Sequence, residues 1–280
     1  MRAISVHETG EPDVLRLSAA PEPIAGPGEL LVHTHATGLN FIETYQRAGV
    51  YPLPLPFTPG AEASGTVLAV GAGVTRFAPG DRICTAEGHA TYAERFVVRA
   101  DRVARVPEGV SLETAAALPL QGLTAHYLTR STYAVGPGTT ALVHAAAGGV
   151  GQLLVQMVKA LGGVVIATAG TDEKCSAAAE LGADHTINYR TEADLAAAIR
   201  AAAGGAGVDV AYDGVGKDTF EASLASLRPR GLLALYGAAS GQVPPFDLQR
   251  LTGAGSLFVT RPSLPPHLAT AAELAWRADE

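Results

Sequence analysis

The sequence predicts a two-domain α/β protein, with a β-rich part followed by a doubly wound parallel sheet. Three observations predict it. The first third is a series of short alternating or β-branched segments punctuated by Gly and Pro. From Thr139 onward, apolar strands alternate with helical stretches. Where the first of those strands meets its helix stands a glycine-rich turn, Ala145-Ala146-Ala147-Gly148-Gly149-Val150-Gly151. A chain of 280 residues suits two domains of ordinary size.

In order, residues 30–38, 63–71, 81–86 and 92–100 read as strands of an antiparallel barrel-like or sandwich domain. Ser111 reads as a helix N-cap with Glu113 in the first turn, Pro119 ends or kinks that helix, and residues 120–131 form another helical stretch. Then come the strand TTALVHAA, the helix GGVGQLLVQMVKALG, the strand VVIATAG, the helix TDEKCSAAAELG and the strand HTINY. TEADLAAAIRAAAGG, KDTFEASLASL and the strands VDVAYDGVG, RGLLALYG and SLFVTRP complete the pattern. Continuous apolar strands separated by helices imply a parallel sheet covered on both faces. The tail, PPHLATAAELAWRADE, begins a helix that no hydrophobic element follows.

A strand, a glycine turn and a helix in this order aim backbone N–H groups and the positive helix end at a pyrophosphate. This predicts a Rossmann-type dinucleotide-binding domain, with Gly148 allowing the phosphates to approach and Gly151 allowing the helix to pack on its strand. NAD-binding versions place Asp or Glu at the tip of the next strand. Here the tip reads Ala169-Gly170-Thr171, with Lys174 just inside the following helix and Tyr189 after the third strand. A carboxylate would repel a 2′-phosphate and an ammonium would attract it, so the expected cofactor is NADPH. Asp172 and Glu173 suit a helix first turn and can point to solvent. Lys174 also reads as an ordinary solvated helix lysine.

Bulk composition narrows the function. Hydrophobic residues make up 48% and charged residues 17%, which marks a folded chain. The net charge of −7 gives no basic footprint for nucleic acid. No apolar run is long enough to span a membrane, and the N-terminus does not read as a secretory signal. Cys84 and Cys175 form no metal or disulfide framework and read as reduced cytoplasmic thiols. His33 and His35 share a strand face but lack a further metal ligand. His144 ends a strand with no evident partner and reads as a packed core histidine.

Several motifs together, GLNFIETYQRAGVYPLPLPFTPGAEASGTVLAVG, HAAAGGVGQL, AGTDEK, INYR and GSLFVTRPSL, resemble the quinone oxidoreductase branch of the medium-chain dehydrogenase/reductase superfamily, which includes the lens zeta-crystallins. The resemblance runs from about residue 2 to the last residue. It implies a GroES-like catalytic domain over residues 1–120, a Rossmann domain over 121–265, a cleft between them and a dimer paired through SLFVTRP. An ordinary last strand of a monomeric sheet is the alternative for that segment. Family members continue a few dozen residues further and return to the first domain, so residues 266–280 are expected to be an incomplete closing part.

The resemblance also implies site roles. Asn40, Tyr45 and Tyr51 would line the acceptor site, and Thr124 and Tyr127 would lie beside the nicotinamide and its ribose. Gly148, Gly149 and Val150 would meet the pyrophosphate, and Gly170, Lys174 and Tyr189 the 2′-phosphate. Tyr236, Gly237 and Ala238, with Phe258, Val259, Thr260 and Arg261, would border the nicotinamide. Asn40 also reads as a turn residue, Tyr45 and Tyr51 as core or surface aromatics, and Arg261 as a solvated strand-end charge. Zinc-dependent relatives carry Cys at position 40 and His at position 61. Asn40 and Ala61 replace neither, so no metal is expected. The expected activity is zinc-independent quinone reduction by NADPH. Reduction of activated C=C bonds, and non-catalytic NADPH binding, are the alternatives.

Overall fold

A computed structural model describes residues Met1–Glu280. The chain divides into two units, one of Met1–Leu123 with Pro265–Glu280 and the other of Thr124–Leu264. In the first unit, β1 (Arg2–Ser5) and β2 (Arg16–Ala19) pair antiparallel by themselves. The strands β3 (Glu29–Thr37), β4 (Ala63–Val70), β5 (Arg82–Thr85), β6 (Arg95–Arg99) and β7 (Ala104–Arg105) form one antiparallel sheet in the order β6-β3-β4-β5-β7. Alternation explains the inner face: Leu30 and Val32 are fully buried with Val67, Ile83 and Phe96, while His33 and His35 face out. The helix α1 (Phe41–Arg47) interrupts this β-rich stretch, and sequence reading did not anticipate it. Then α2 (Leu112–Ala117) starts at the Ser111 cap, whose side chain accepts the Thr114 N–H at 3.1 Å. Pro119 opens α3 (Pro119–Tyr127), the position where its missing N–H costs nothing, and one π turn, Leu128–Thr132, ends the stretch.

The second unit alternates strictly. It runs β8 (Thr140–Val143), α4 (Gly149–Ala160), β9 (Val164–Ala169), α5 (Asp172–Glu180), β10 (His185–Asn188), α6 (Leu195–Ala202), β11 (Val208–Asp213), α7 (Phe220–Ser226), β12 (Leu227–Leu235), α8 (Gln249–Gly253) and β13 (Phe258–Thr260). The six strands are parallel in the order β10-β9-β8-β11-β12-β13. The order in which strands are added reverses between β8 and β11, so the crevice for a ligand opens at their carboxyl ends. Both faces are covered, as the continuous apolar strands require. Ala141, Val143, Val165, Val210 and Tyr212 pack with Leu154, Val155 and Val158 of α4. Leu142, Ile166, Ala211 and Leu233 face the other way, toward Ile199, Phe220 and Leu224.

The last helix, α9 (Ala271–Asp279), belongs to the first unit, where it packs on β7. Thr270 and Glu273 cap it reciprocally. No helix is long and apolar enough to cross a membrane.

Leu142 is 0% exposed at the middle of the six-stranded sheet. Leu142→Ala is expected to destabilise the second unit by about 2–5 kcal/mol, read as a lower urea midpoint. A midpoint equal to that of the unsubstituted protein would contradict the packing described.

Candidate functional site

The turn after β8 is built for close approach. Gly148 N–H bonds back to Ala145 O at 2.8 Å, and Gly148 itself is the N-cap of α4. Gly148 and Gly149 are exposed and Val150 is half-buried. The first turn of α4 carries no acidic residue, so its unpaired N–H groups present an unopposed positive end. A Cβ at position 151 would stand 2.3 Å from Ala145 O and 2.8 Å from Ala146 Cα. Only glycine lets this helix lie so close to the turn. At Gly148 the nearest protein atom to an added Cβ is 3.1 Å away, so there the protein itself demands less.

At the tip of β9 no carboxylate faces outward from the predicted position. The Thr171 side chain caps α5 by accepting the Lys174 N–H at 3.3 Å. Asp172 does not simply point to solvent, as sequence reading allowed: its carboxylate accepts Asn188 Nδ2–H at 2.7 Å. The Glu173 carboxyl is held below its ordinary range by its own backbone N–H and by the Thr171 hydroxyl. Lys174 is exposed and makes no ion pair. A Cβ at Gly170 would meet Tyr189 Oη at 2.6 Å and Arg190 Nε at 3.5 Å. A phenol and a guanidinium therefore flank the glycine. Arg190 was missed by sequence reasoning, although it follows Tyr189 directly in the INYR motif. This donor set fits the 2′-phosphate of NADPH: two cations, a hydroxyl and a glycine whose absent side chain leaves room.

Beneath the crevice lies a buried polar network. His144, expected to be without a partner, has two: Nδ1 stands 2.7 Å from Thr168 Oγ1, and Nε2 stands 3.0 Å from Ser223 Oγ. The Ser223 hydroxyl donates to Asp213 Oδ2 at 2.7 Å, so it accepts from His144 Nε2–H, and Nδ1 accepts from Thr168. Asp213, fully buried, also accepts from the N–H groups of Val215 and Gly216 and from the Thr219 hydroxyl. Burial pushes the His144 pKa down, and it stays neutral.

The segment after β12 rests on this network. Tyr236 N–H bonds to Asp213 O at 2.9 Å, and a Cβ at Gly237 would meet Gly214 O at 2.4 Å. Ala238 O accepts the Gly241 N–H, closing the loop. Arg261 does not simply extend into solvent: it donates to Leu235 O at 3.1 Å, and its charge reaches the Tyr127 phenol. Tyr127 and Thr124 are buried. Phe258 is 59% exposed and Val259 36%, with Thr260 half-buried, along the free edge of β13.

In the first unit, Asn40 is the N-cap of α1, and Glu43 accepts its N–H at 2.8 Å. The Asn-x-x-Glu spacing is the signal that could have announced this helix. Tyr45 and Tyr51 meet tilted, at 5.2 Å between ring centroids and 58° between planes, and Phe41 adds its ring edge to Tyr45 at the same distance. Asn40 Nδ2–H donates to Glu62 Oε2 at 2.7 Å, and Glu62 Oε1 accepts the Leu120 N–H at 2.8 Å. Glu62 is fully buried and Glu43 nearly so, and burial raises both carboxyl pKa values. The same burial, with the nearby Glu62 charge, pushes the Cys84 thiol up to about 11. Sequence reasoning missed Phe41, Glu43 and Glu62. His35, solvent-facing, pairs with Glu113 at 2.7 Å.

A six-stranded parallel sheet with a glycine turn and a helix N-terminus at its switch point is the arrangement of a dinucleotide-binding fold. Residues 26–108 match the alcohol dehydrogenase GroES-like domain family, and residues 149–273 match the zinc-binding dehydrogenase family. A quinone oxidoreductase of Pseudomonas aeruginosa is 45% identical over 97% of the chain and 84% of its own length. A 2-haloacrylate reductase of Burkholderia is 42% identical over the same shares. A mycobacterial structure solved with NADPH matches at a TM-score of 0.97 and 51% identity, over 100% of this chain and 87% of that one. The chain belongs to the quinone oxidoreductase branch of the medium-chain dehydrogenase/reductase superfamily.

The donor set does not fit the zinc that one family description names. Asn40 turns its amide N–H to Glu62, Ala61 has no donor atom, and no group of three His, Cys, Asp or Glu side chains gathers to hold a metal ion.

Two outcomes are expected. Gly151→Ala should force α4 away from the turn and lower the urea midpoint clearly, by about 1–3 kcal/mol of stability; an unchanged midpoint would refute the close approach. His144 should make the fold acid-sensitive. Unfolded, it takes a proton below a pKa of about 6.5, whereas the native state resists it, so stability falls as pH drops from 7 to 5.5. Measured by urea titration, that slope should be shallower in His144→Asn; equal slopes would contradict the neutral buried imidazole.

Proposed function

We propose that this protein is an NADPH-dependent reductase of quinones that works without a metal ion. The observation that carries the acceptor assignment is the Tyr45–Tyr51 ring pair at 5.2 Å, with Asn40 capping the helix that bears Tyr45. Tilted aromatic surfaces of this kind hold a flat apolar ring, and a neutral amide orients its carbonyl oxygen. NADPH is the cofactor and supplies the hydride. Gly148, Gly149 and Val150 hold its pyrophosphate, and Gly170, Lys174, Tyr189 and Arg190 hold its 2′-phosphate. Thr124, Tyr127, Tyr236, Gly237, Ala238 and the stretch Phe258–Arg261 border the nicotinamide. A quinone needs no strong general acid, because solvent can protonate the reduced oxygen.

Reduction of an activated C=C bond is a second reading, supported by the 42% identity to a 2-haloacrylate reductase. It requires a proton at the α carbon, and Tyr45 or Tyr51 is the donor in that case. The assembly proposed is a two-fold dimer through β13, whose exposed Phe258 and Val259 would be covered by a second copy. The place of work proposed is the cytoplasm, where the two unpaired thiols stay reduced.

The test is steady-state oxidation of NADPH and NADH with benzoquinone, naphthoquinone, an alkenal and 2-chloroacrylate. Quinones should turn over fastest, and NADPH should be preferred. Lys174→Ala and Arg190→Ala should each weaken NADPH binding about tenfold or more while leaving NADH within about twofold. Faster turnover of the alkenes, lost in Tyr→Phe variants, would favour the second reading. Equal use of both nucleotides, or no turnover of any quinone, would overturn the first.

A further inference from the structure

Glu62 has no place in the functional reading above, yet its surroundings are built around its carboxylate. It is fully buried, and both oxygens are taken by donors, Leu120 N–H at 2.8 Å and Asn40 Nδ2–H at 2.7 Å. Its backbone is also pinned, because Glu62 O accepts from the Gly38 N–H and from the hydroxyls of Thr37 and Thr91. The room is made by Gly38, where an added Cβ would stand 2.0 Å from Glu62 Oε2. A buried carboxylate is costly and is retained only where its donors hold it.

This fixes the chemistry of Asn40. A carboxylate with no proton of its own can only accept, so the Asn40 atom facing Glu62 is the amide nitrogen. Gln121 Nε2 reaches Asn40 Oδ1 at 3.4 Å from the other side. One amide hydrogen and the amide oxygen are thereby engaged, and one Nδ2–H remains.

We propose that Glu62 is a positioning residue. By engaging one hydrogen of the Asn40 amide, it turns the other toward the acceptor, where that hydrogen is a single fixed donor to a carbonyl oxygen. This rests on the reading of Asn40 as an acceptor-site residue. The hydrogen bond strengthens as the oxygen gains negative charge during hydride transfer, so the arrangement favours carbonyl-bearing acceptors. Glu43 stands beside the pair as a second buried carboxyl, and its Oε1 has no hydrogen-bond partner. Burial raises both carboxyl pKa values, and the Glu43 charge raises that of Glu62 further, while the Asn40 and Leu120 donors lower it.

The test is Glu62→Gln. A glutamine offers one acceptor oxygen to two donors, so its NH₂ must face either Leu120 N–H or Asn40. With its oxygen on Leu120 N–H, the NH₂ meets Asn40 and turns Oδ1 toward position 62, which carries the free Nδ2–H to the Gln121 side and away from the acceptor. The expected result is a fall of about 10- to 100-fold in kcat/KM for quinones, with the NADPH Kd from fluorescence titration within about twofold of the unsubstituted protein. The pH profile gives a readout that a general loss of structure would not. Burial and the neighbouring Glu43 raise the Glu62 pKa. The unsubstituted enzyme should therefore lose kcat/KM on an acid limb above the ordinary carboxylate range, and Glu62→Gln should lack it. The other titratable groups facing Glu62 are Glu43 from α1, Cys84 from β5 and Tyr92, and the last two are raised and stay neutral across that range.

Asn40→Ala run in parallel separates the two ideas. If it lowers kcat/KM while a folded, NADPH-binding Glu62→Gln stays within twofold, the positioning role is wrong and the acceptor site stands. If neither variant changes kcat/KM, the acceptor assignment itself has failed. Should Glu62→Gln not fold, Gln121→Ala loosens the same amide from its other end. A fall of about threefold or more in kcat/KM at unchanged NADPH Kd supports the proposal, and no fall overturns it.

Discussion

The approach of helix α4 to strand β8, open only to a residue without a side chain at position 151, is the constraint on which the second unit depends. It sets the Gly148–Val150 turn at the carboxyl end of β8, beside the point where the strand order reverses. It also brings Leu154, Val155 and Val158 onto one face of the sheet. A helix end without an acidic first turn then points at the crevice. Geometry, core packing and the positive helix end at the turn follow from the same contact.

Around that junction the protein spends buried polarity with care. Asp213 is fully buried and served by two backbone N–H groups and two hydroxyls, and it ties β11 and α7 to the loop that bears Tyr236. Glu62 does the same in the first unit for Asn40. In both cases neutral donors spread over several elements compensate a buried carboxylate. The side chains so held, a loop in one unit and an amide in the other, lie among those assigned to cofactor and acceptor.

Much of this was legible in the sequence, for definite reasons. The strands β8, β9 and β11 announce themselves as apolar runs between glycine turns, because a parallel sheet covered on both faces needs no alternation. The carboxylate missing after β9 is readable as an identity at one position. The helix α1 was not readable as such. It has seven residues of mixed polarity inside a Gly- and Pro-rich stretch, and only its Asn40–Glu43 cap marks it. Burial of Glu43 and Glu62 runs against the usual exposure of carboxylates, so composition argues the wrong way. The partners of His144 lie 24 and 79 residues along the chain, and only the fold brings them together. Arg190 sat in plain view beside Tyr189, but its nearness to Gly170 is a property of the turn after β10.

The central claim is that the adenosine end of the cofactor site offers cations and a phenol, and no carboxylate, to a 2′-phosphate. A crystal of this protein soaked with NADPH tests it directly. The account predicts a phosphate held by Lys174 and Arg190 within hydrogen-bond distance, with the Tyr189 hydroxyl beside it. A bound nucleotide with both cations turned away, or an empty adenosine lobe at saturating NADPH, would contradict it.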